Sequence, residues 1–277
     1  MIKNYLLITL RSLAKNKLFV FINILGMGIS IACCIVAYYN YDFNASFDSV
    51  HERAAQIYRV NSIREFQNQT TKFGFVPMGL GGVARQNLAD ANKVVLYSPG
   101  YGDFRVKEEV FFDNLVYVDP EFFDVFSFEF VEGDASGMED KTKIYISDEL
   151  AQKYFGEEKA LGKPITQLFD SGKVKDYVVA GVFRQPPTNS SFGATAYTHF
   201  DNQFMGNNRD SRYHENSWVY RLTLFLMVED PSRVPAIAKA LQPYTENNNK
   251  GREDFILREF EIESLEGMAV GDSYNEI

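Results

Sequence analysis

Polarity divides this chain near its start. Residues 18–41 (LFVFINILGMGISIACCIVAYYNY) contain no charged side chain. As a helix at about 1.5 Å per residue they would span roughly 36 Å, enough to cross a hydrocarbon core of about 30 Å. The segment ahead of them, residues 1–17, carries Lys3, Arg11, Lys15 and Lys17 and no acid. Cationic flanks stay on the cytoplasmic side, which predicts residues 1–17 inside and the bulk of the chain outside. Within that flank Ile2, Leu6, Leu10 and Leu13 recur at helical spacing with Leu7 between them. Residues 2–13 therefore read as an amphipathic helix lying on the inner surface.

Beyond residue 41 the pattern alternates between strand and helix periods. Residues 57–63 read as extended, 77–89 as a helix with Leu80, Val83, Ala84 and Leu88 on one face, and 94–97 as extended. A second unit repeats this order. In residues 218–228, Leu222, Leu224, Leu226 and Val228 alternate with Arg221, Thr223, Phe225 and Met227. Ser232 then caps a helix bearing Val234, Ile237, Ala238 and Leu241, and residues 255–262 return as a strand. Two strand–helix–strand units predict one open-faced α/β sandwich, so the class is α+β with one N-terminal membrane helix.

The middle, about 103–216, differs. It holds a Phe-rich turn (DPEFFDVFSFEF), a strand at 143–146 and a helix over 148–155. Ser147 is its N-cap, Asp148 and Glu149 complement the helix dipole, and Gly156 ends it. Residues 177–183 (YVVAGVF) read as a buried strand closed by Pro186 and Pro187. The polar segment 203–216 reads as a mobile loop.

Composition narrows the function. Net charge is −9 over 277 residues. Residues 1–17 carry +4 and residues 18–41 nothing, leaving −13 on the rest. So acidic a body repels phosphate backbones, and nucleic-acid binding is excluded. Aromatics reach 15%, material for strands and a core. Cys33 and Cys34 are the only cysteines and both lie in the apolar run, so no disulfide staples the body. Ser30-Ile31-Ala32-Cys33 makes a poor lipobox. The apolar run also exceeds a signal-peptide core and ends without a small-x-small site, so an uncleaved anchor is the reading.

The anchor carries a packing face. Asn23, Gly26, Ser30 and Cys33 or Cys34 recur at helical spacing. Gly26-x3-Ser30 and Gly28-x3-Ala32 are small-x3-small pairs that let helices approach closely, and the Asn23 amide wants a partner in lipid. Catalytic chemistry has no foothold. His51, His199 and His214 lack ligand spacing and read as solvated or capping residues, so no metal is expected. Gly156-x5-Gly162-Lys163-Pro164 fails as a phosphate loop, because Pro164 stands where Ser or Thr is required. No nucleophile elbow or zinc-protease motif occurs. Glu108-Glu109 and Glu157-Glu158 read as solvated pairs, and no cofactor is called for. The sequons at Asn44, Asn68 and Asn189 matter only in a pathway that glycosylates.

Several segments together carry a resemblance. LRSLAKNKLFVFINILGMGISIA resembles the first membrane segment of FtsX-like ABC transporter permeases, the group containing the MacB-type macrolide exporter. Phe47-Asp48, His51 and Ile57-Tyr58-Arg59-Val60 are similar to the opening of that family's periplasmic core domain. VYVDPEFFDVFSFEFVEGD, ISDELAQKYFGEEKALGKPI and VVAGVFRQPPTNSSF extend the likeness over nearly the whole chain. The resemblance implies a bacterial inner-membrane protein with its bulk, residues 42–277, in the periplasm. It implies a porter-like part at about 55–102 and 217–270 with a second α/β part inserted at about 103–216. It further implies a cytoplasmic ABC-type ATPase subunit as partner, additional permease helices, and a homo- or heterodimer of permeases. Their joint work would be efflux or lipoprotein extraction by mechanotransmission. Further helices belong beyond residue 277 in that scheme, so the chain reads as a permease fragment or a truncated gene product. A stand-alone membrane-tethered binding or adaptor module remains the alternative. A membrane-bound hydrolase would need a nucleophile and base, and no pair presents itself. No residue here selects a substrate.

Overall fold

The computed structural model describes residues 2–66, 69–170, 172–206, 214, 216–251 and 255–268. The chain forms two units, Met1–Ser46 and Phe47–Ile277.

The first unit holds α1 (Ile2–Lys15) and α2 (Lys17–Ala45). α2 is 29 residues long and apolar enough to cross a membrane, and none of its residues is buried by protein. It outruns the uncharged stretch because Asp42 and Asn44 are accommodated in its last turns, where Ser46 N–H closes the helix on Asp42 O at 3.0 Å.

The second unit, the body, is built in chain order from β1 (Ile57–Phe66), β2 (Gln69–Phe73), β3 (Val76–Pro77), α3 (Met78–Asn87), β4 (Lys93–Val106), β5 (Glu109–Val118), α4 (Phe122–Val125), β6 (Phe130–Gly133), β7 (Lys143–Ser147) and α5 (Asp148–Phe155). It continues with β8 (Pro164–Leu168), β9 (Val174–Phe183), β10 (Ala196–His199), β11 (Arg221–Met227), α6 (Val234–Leu241), α7 (Thr245–Gly251), β12 (Ile256–Ser264) and α8 (Leu265–Met268). One sheet threads them in the order β12-β1-β11-β4-β5-β10-β7-β9-β6, with β2 on β1, β3 on β11, and β8 bridging β4 and β9.

The two expected strand–helix–strand units interleave. β11 lies antiparallel between β1 and β4, and β1 lies antiparallel between β11 and β12. Each unit's helix thus joins two parallel strands separated by the other unit's first strand, the split βαβ arrangement. β4 runs on from this four-stranded part and pairs with β5 from Tyr97↔Val118 to Val106↔Glu109, carrying the sheet into the middle region.

Both faces of the central strands are covered. Leu96, Tyr117, Leu224 and Leu226 enter one core with α3, α5 and α6, while Val95, Tyr97, Phe225 and Met227 enter a second, aromatic core. That explains why residues 224–228 form an unbroken apolar run: a strand buried on both faces has no polar side to show. The Phe-rich turn lies here, with Phe122 and Phe126 fully buried.

α5 spans the predicted residues, with Ser147 Oγ accepting from Leu150 N–H at 3.2 Å. Gly156 (φ +62°) and Gly162 (φ +80°) are turn glycines in left-handed backbone. Two expectations are corrected. Asp230, not Ser232, is the cap before α6: its Oδ1 accepts from Ser232 N–H at 3.0 Å and a short 3-10 turn, Pro231–Arg233, intervenes. The aspartate takes the role because a carboxylate is the stronger acceptor for that orphan N–H. Nor does an irregular loop begin at residue 203. Phe200–Met205 is a 3-10 turn capped by His199, and Gln203 is buried within it. Residues 207–213 and 215 of that segment, and the sequon residue Asn68, lie outside the described residues.

Candidate functional site

The body starts with a clamp. Residues 46–54 (SFDSVHERA) contain neither glycine nor proline, and the side chains of Asp48, His51 and Arg53 and the backbone of Glu52 are fastened to distant parts of the body. Asp48 is 1% exposed and holds φ +56°, a left-handed conformation that aspartate tolerates better than most residues. Its carboxylate accepts from Ser191 N–H and Ser191 Oγ, both at 2.7 Å, and from Ser190 Oγ at 3.2 Å. Its own N–H donates to Asn189 O at 2.9 Å. Burial raises the Asp48 pKa above the ordinary carboxylate value despite these donors and the nearby Arg59 charge.

One turn on, His51 N–H returns to Asp48 O at 3.2 Å. The imidazole is buried, neither solvated nor capping. Its edge meets Phe126 and Phe192 at ring distances of 5.3 and 5.1 Å. Nδ1 accepts from Ser127 N–H at 3.1 Å, which assigns the proton of the neutral ring to Nε2. Glu52 N–H donates to Ser127 Oγ at 3.1 Å, and Arg53 donates to Asp124 O. The clamp therefore joins residues 48–53 to the 124–127 turn and to the 189–192 loop, segments that contributed to the family resemblance at widely separated places in the sequence. Spacing alone gave no sign of that convergence. His199 behaves as expected, capping through Nδ1 to Asp201 N–H at 3.1 Å, and His214 is exposed.

Burial pushes the His51 pKa down to about 4, with only the Ser127 contact opposing. Folded His51 is thus neutral between pH 6.5 and 4 while the unfolded chain takes up a proton, so stability falls as pH drops through that window. Over about 2.5 units the loss is about 3 kcal/mol. Asp119 works the other way: burial raises it to about 6, although Arg85 and the Leu96 N–H (2.8 Å) stabilise its charge. Asp48 also opposes the histidine. His51→Gln keeps an acceptor but cannot titrate. The difference in urea stability between wild type and His51→Gln is expected to change by about 3 kcal/mol from pH 6.5 to 4, since the aspartates are common to both.

A second charged group lies across β1, β12 and β2. Arg59, fully buried, donates through Nε to Asn61 at 2.8 Å and through Nη2 to Glu263 at 3.0 Å. Lys72 reaches Glu261 at 2.7 Å and Glu263 at 3.3 Å. Gly74 makes room for the Arg59 guanidinium: a Cβ there would stand 2.7 Å from Arg59 Nη1. Every member has an opposite charge or a hydrogen-bond partner, so the group reads as structural.

Among the residues expected to set topology, Lys3, Arg11 and Lys15 lie in α1 and Lys17 opens α2. Asn23, Gly26 and Ser30 share one side of α2, whereas Gly28 stands about 160° round from Gly26 at ~100° per residue. Asn23 Nδ2 and Ser30 Oγ donate to the carbonyls four residues back, Phe19 and Gly26, each at 2.9 Å. Among the described residues no group of three His, Cys, Asp or Glu could hold a metal ion.

Residues 20–244 match the family described as MacB-like periplasmic core domain. Similar solved structures include a domain of a protein described as a permease from Porphyromonas gingivalis, at 17% identity and a TM-score of 0.59, covering 77% of this chain and 90% of that one. The periplasmic region of MacB from Actinobacillus actinomycetemcomitans gives 15% identity and 0.51, covering 78% and 91%. The extracellular domain of the noncanonic ABC-type transporter YknZ from Gram-positive bacteria gives 14% and 0.50, covering 73% and 99%. No curated protein matches the chain.

Proposed function

The chain belongs to the family of MacB-like periplasmic core domains, and from that premise we propose that it is the outer, force-bearing part of an ABC transporter permease subunit. In this reading α2 anchors the protein in the bacterial inner membrane with residues 1–17 inside and the body in the periplasm. A separate cytoplasmic ATPase supplies the motion, and further permease helices and a second permease subunit complete the machine. The work done is export of a substrate or extraction of a lipoprotein.

The observation that carries the reading is the clamp. A module that merely hangs from a membrane is served by a flexible Gly- and Ser-rich linker. Here the first residues of the body are instead held by six hydrogen bonds from Asp48, His51 and Glu52. A displacement arriving at residue 47 has little slack in which to be lost. The face of Asn23, Gly26 and Ser30 points the same way, since a lone tether needs no packing face.

The test is affinity purification of the native protein from its own membranes, with mass spectrometry of the companions. Recovery of a nucleotide-binding subunit is the expected result. Recovery without an ATPase, at a mass of about 32 kDa, would overturn the reading in favour of a tethered binding module.

A further inference from the structure

The sheet of the body has a slot in it. On the side of β4 away from β5, β11 pairs residues 93–97, its last register being Thr223↔Tyr97. β8 takes over only at Asp103↔Leu168. Between them residues 98–102 stay in continuous strand and pair with β5, but among the described residues no strand lies on their other side. Among the described residues their backbone makes no further hydrogen bond. Asp119 N–H donates to Leu96 O, so the even residues of this stretch face β5 and the odd ones face the slot. The slot edge therefore offers the carbonyl of Pro99, which has no N–H, and both the N–H and the carbonyl of Tyr101.

A cavity of about 460 Å³ occupies the slot. Gly100 and Gly102 lie along it, and the Tyr117 hydroxyl and Gln167 amide, bonded to each other at 3.1 Å, form its base. At the rim Tyr101 and Phe112 stack at 5.7 Å with rings 8° from parallel, yet they are 66% and 67% exposed. Asp103 and Asp170 also line it, and among the described residues no lysine or arginine does.

We propose that this slot takes up a flexible segment of a second polypeptide, which adds to β4 as a short strand. The complement of a bare strand edge is another backbone, and five residues of β4 offer about 17 Å of it at ~3.3 Å per residue. The slot is closed at both ends, by β11 and by β8. A lone strand fits between them, whereas the sheet edge of a second folded copy would bring neighbouring strands that collide with those ends. The Tyr101–Phe112 pair receives an apolar side chain of the incoming segment, and the two carboxylates favour a basic residue beside it.

The full-length protein in detergent would be titrated with a fluorescent peptide alternating valine and threonine between terminal arginines. A twin peptide with alternate backbone amides N-methylated would be run beside it. The twin keeps every side chain and loses the donors of one edge. Losing two net hydrogen bonds predicts a dissociation constant roughly tenfold or more higher for the twin. Asp103→Lys is expected to weaken the parent peptide by about tenfold as well, through like-charge repulsion, while leaving the melting curve in place. Equal binding of the two peptides would overturn strand addition and point to a ligand read by its side chains. Absence of binding together with self-association that Phe112→Asp abolishes would overturn it in favour of a second copy. Binding indifferent to Asp103→Lys would remove the slot as its location.

Discussion

Asp48→Ala is expected to destabilise the body by about 3 kcal/mol, whereas Asp48→Asn should cost less than about 1 kcal/mol. The alanine removes the acceptor of three hydrogen bonds from Ser190 and Ser191. It also places a β-carbon without a local hydrogen-bonding group at φ +56°, which costs about 1 kcal/mol. Against this stands relief of the desolvated charge, real because burial raises the Asp48 pKa. Asparagine obtains that relief without the losses: it keeps an acceptor oxygen for Ser191 N–H and is at home in left-handed backbone. Urea denaturation of the three proteins measures the fold. On the proposed function, ATPase-coupled transport in membranes measures the clamp, and Asp48→Ala is expected to lower it more than its loss of folded protein accounts for. Equal transport per folded molecule in both variants would show that the clamp bears no force.

Much of the fold was legible because its signals are local. The uncharged run at residues 18–41 needs only composition, and α5 needs only Ser147, its acidic first turn and Gly156, all within ten residues. The interleaving of β1, β11, β4 and β12 was not legible. Two strand–helix–strand units packed side by side and two threaded through each other have the same periodicity, and only the long-range pairing separates them. The same limit hid the clamp. Asp48 meets Ser191 across 143 residues, and an aspartate followed by Ser-Val-His has no pattern that asks for two distant serines. His51 looked like a surface residue because its partner is the backbone N–H of Ser127, and a backbone donor leaves no mark in a sequence. The slot beside residues 98–102 was invisible for a related reason: it consists of strands that fail to meet.

The aromatic core beneath the clamp sets the other large expectation, that Phe122→Ala costs about 3–5 kcal/mol. Phe122 has no exposed surface. Its ring lies 4.9 Å from Tyr197, 5.0 Å from Phe126, 5.2 Å from Phe123 and 5.5 Å from Phe128. Alanine leaves a void bounded by rings, and rings fill voids badly because each moves as one rigid plate. Tyr197 is further pinned by its hydroxyl on Phe192 O at 2.8 Å. Phe122→Leu keeps most of the volume and should cost about 1.5 kcal/mol or less. Phe126 and Phe192 touch both Phe122 and His51, so the void should loosen the wall against which the imidazole rests. Amide hydrogen exchange tests that link directly. Amides of residues 51–56 are expected to exchange faster in Phe122→Ala even where urea shows the body still folded, while those of β8, which packs into the other core, follow the global stability. If residues 51–56 exchange no faster than the global loss requires, the aromatic core supports the fold without supporting the clamp, and the force that the proposed function brings to residue 47 would be left to the Asp48 hydrogen bonds alone.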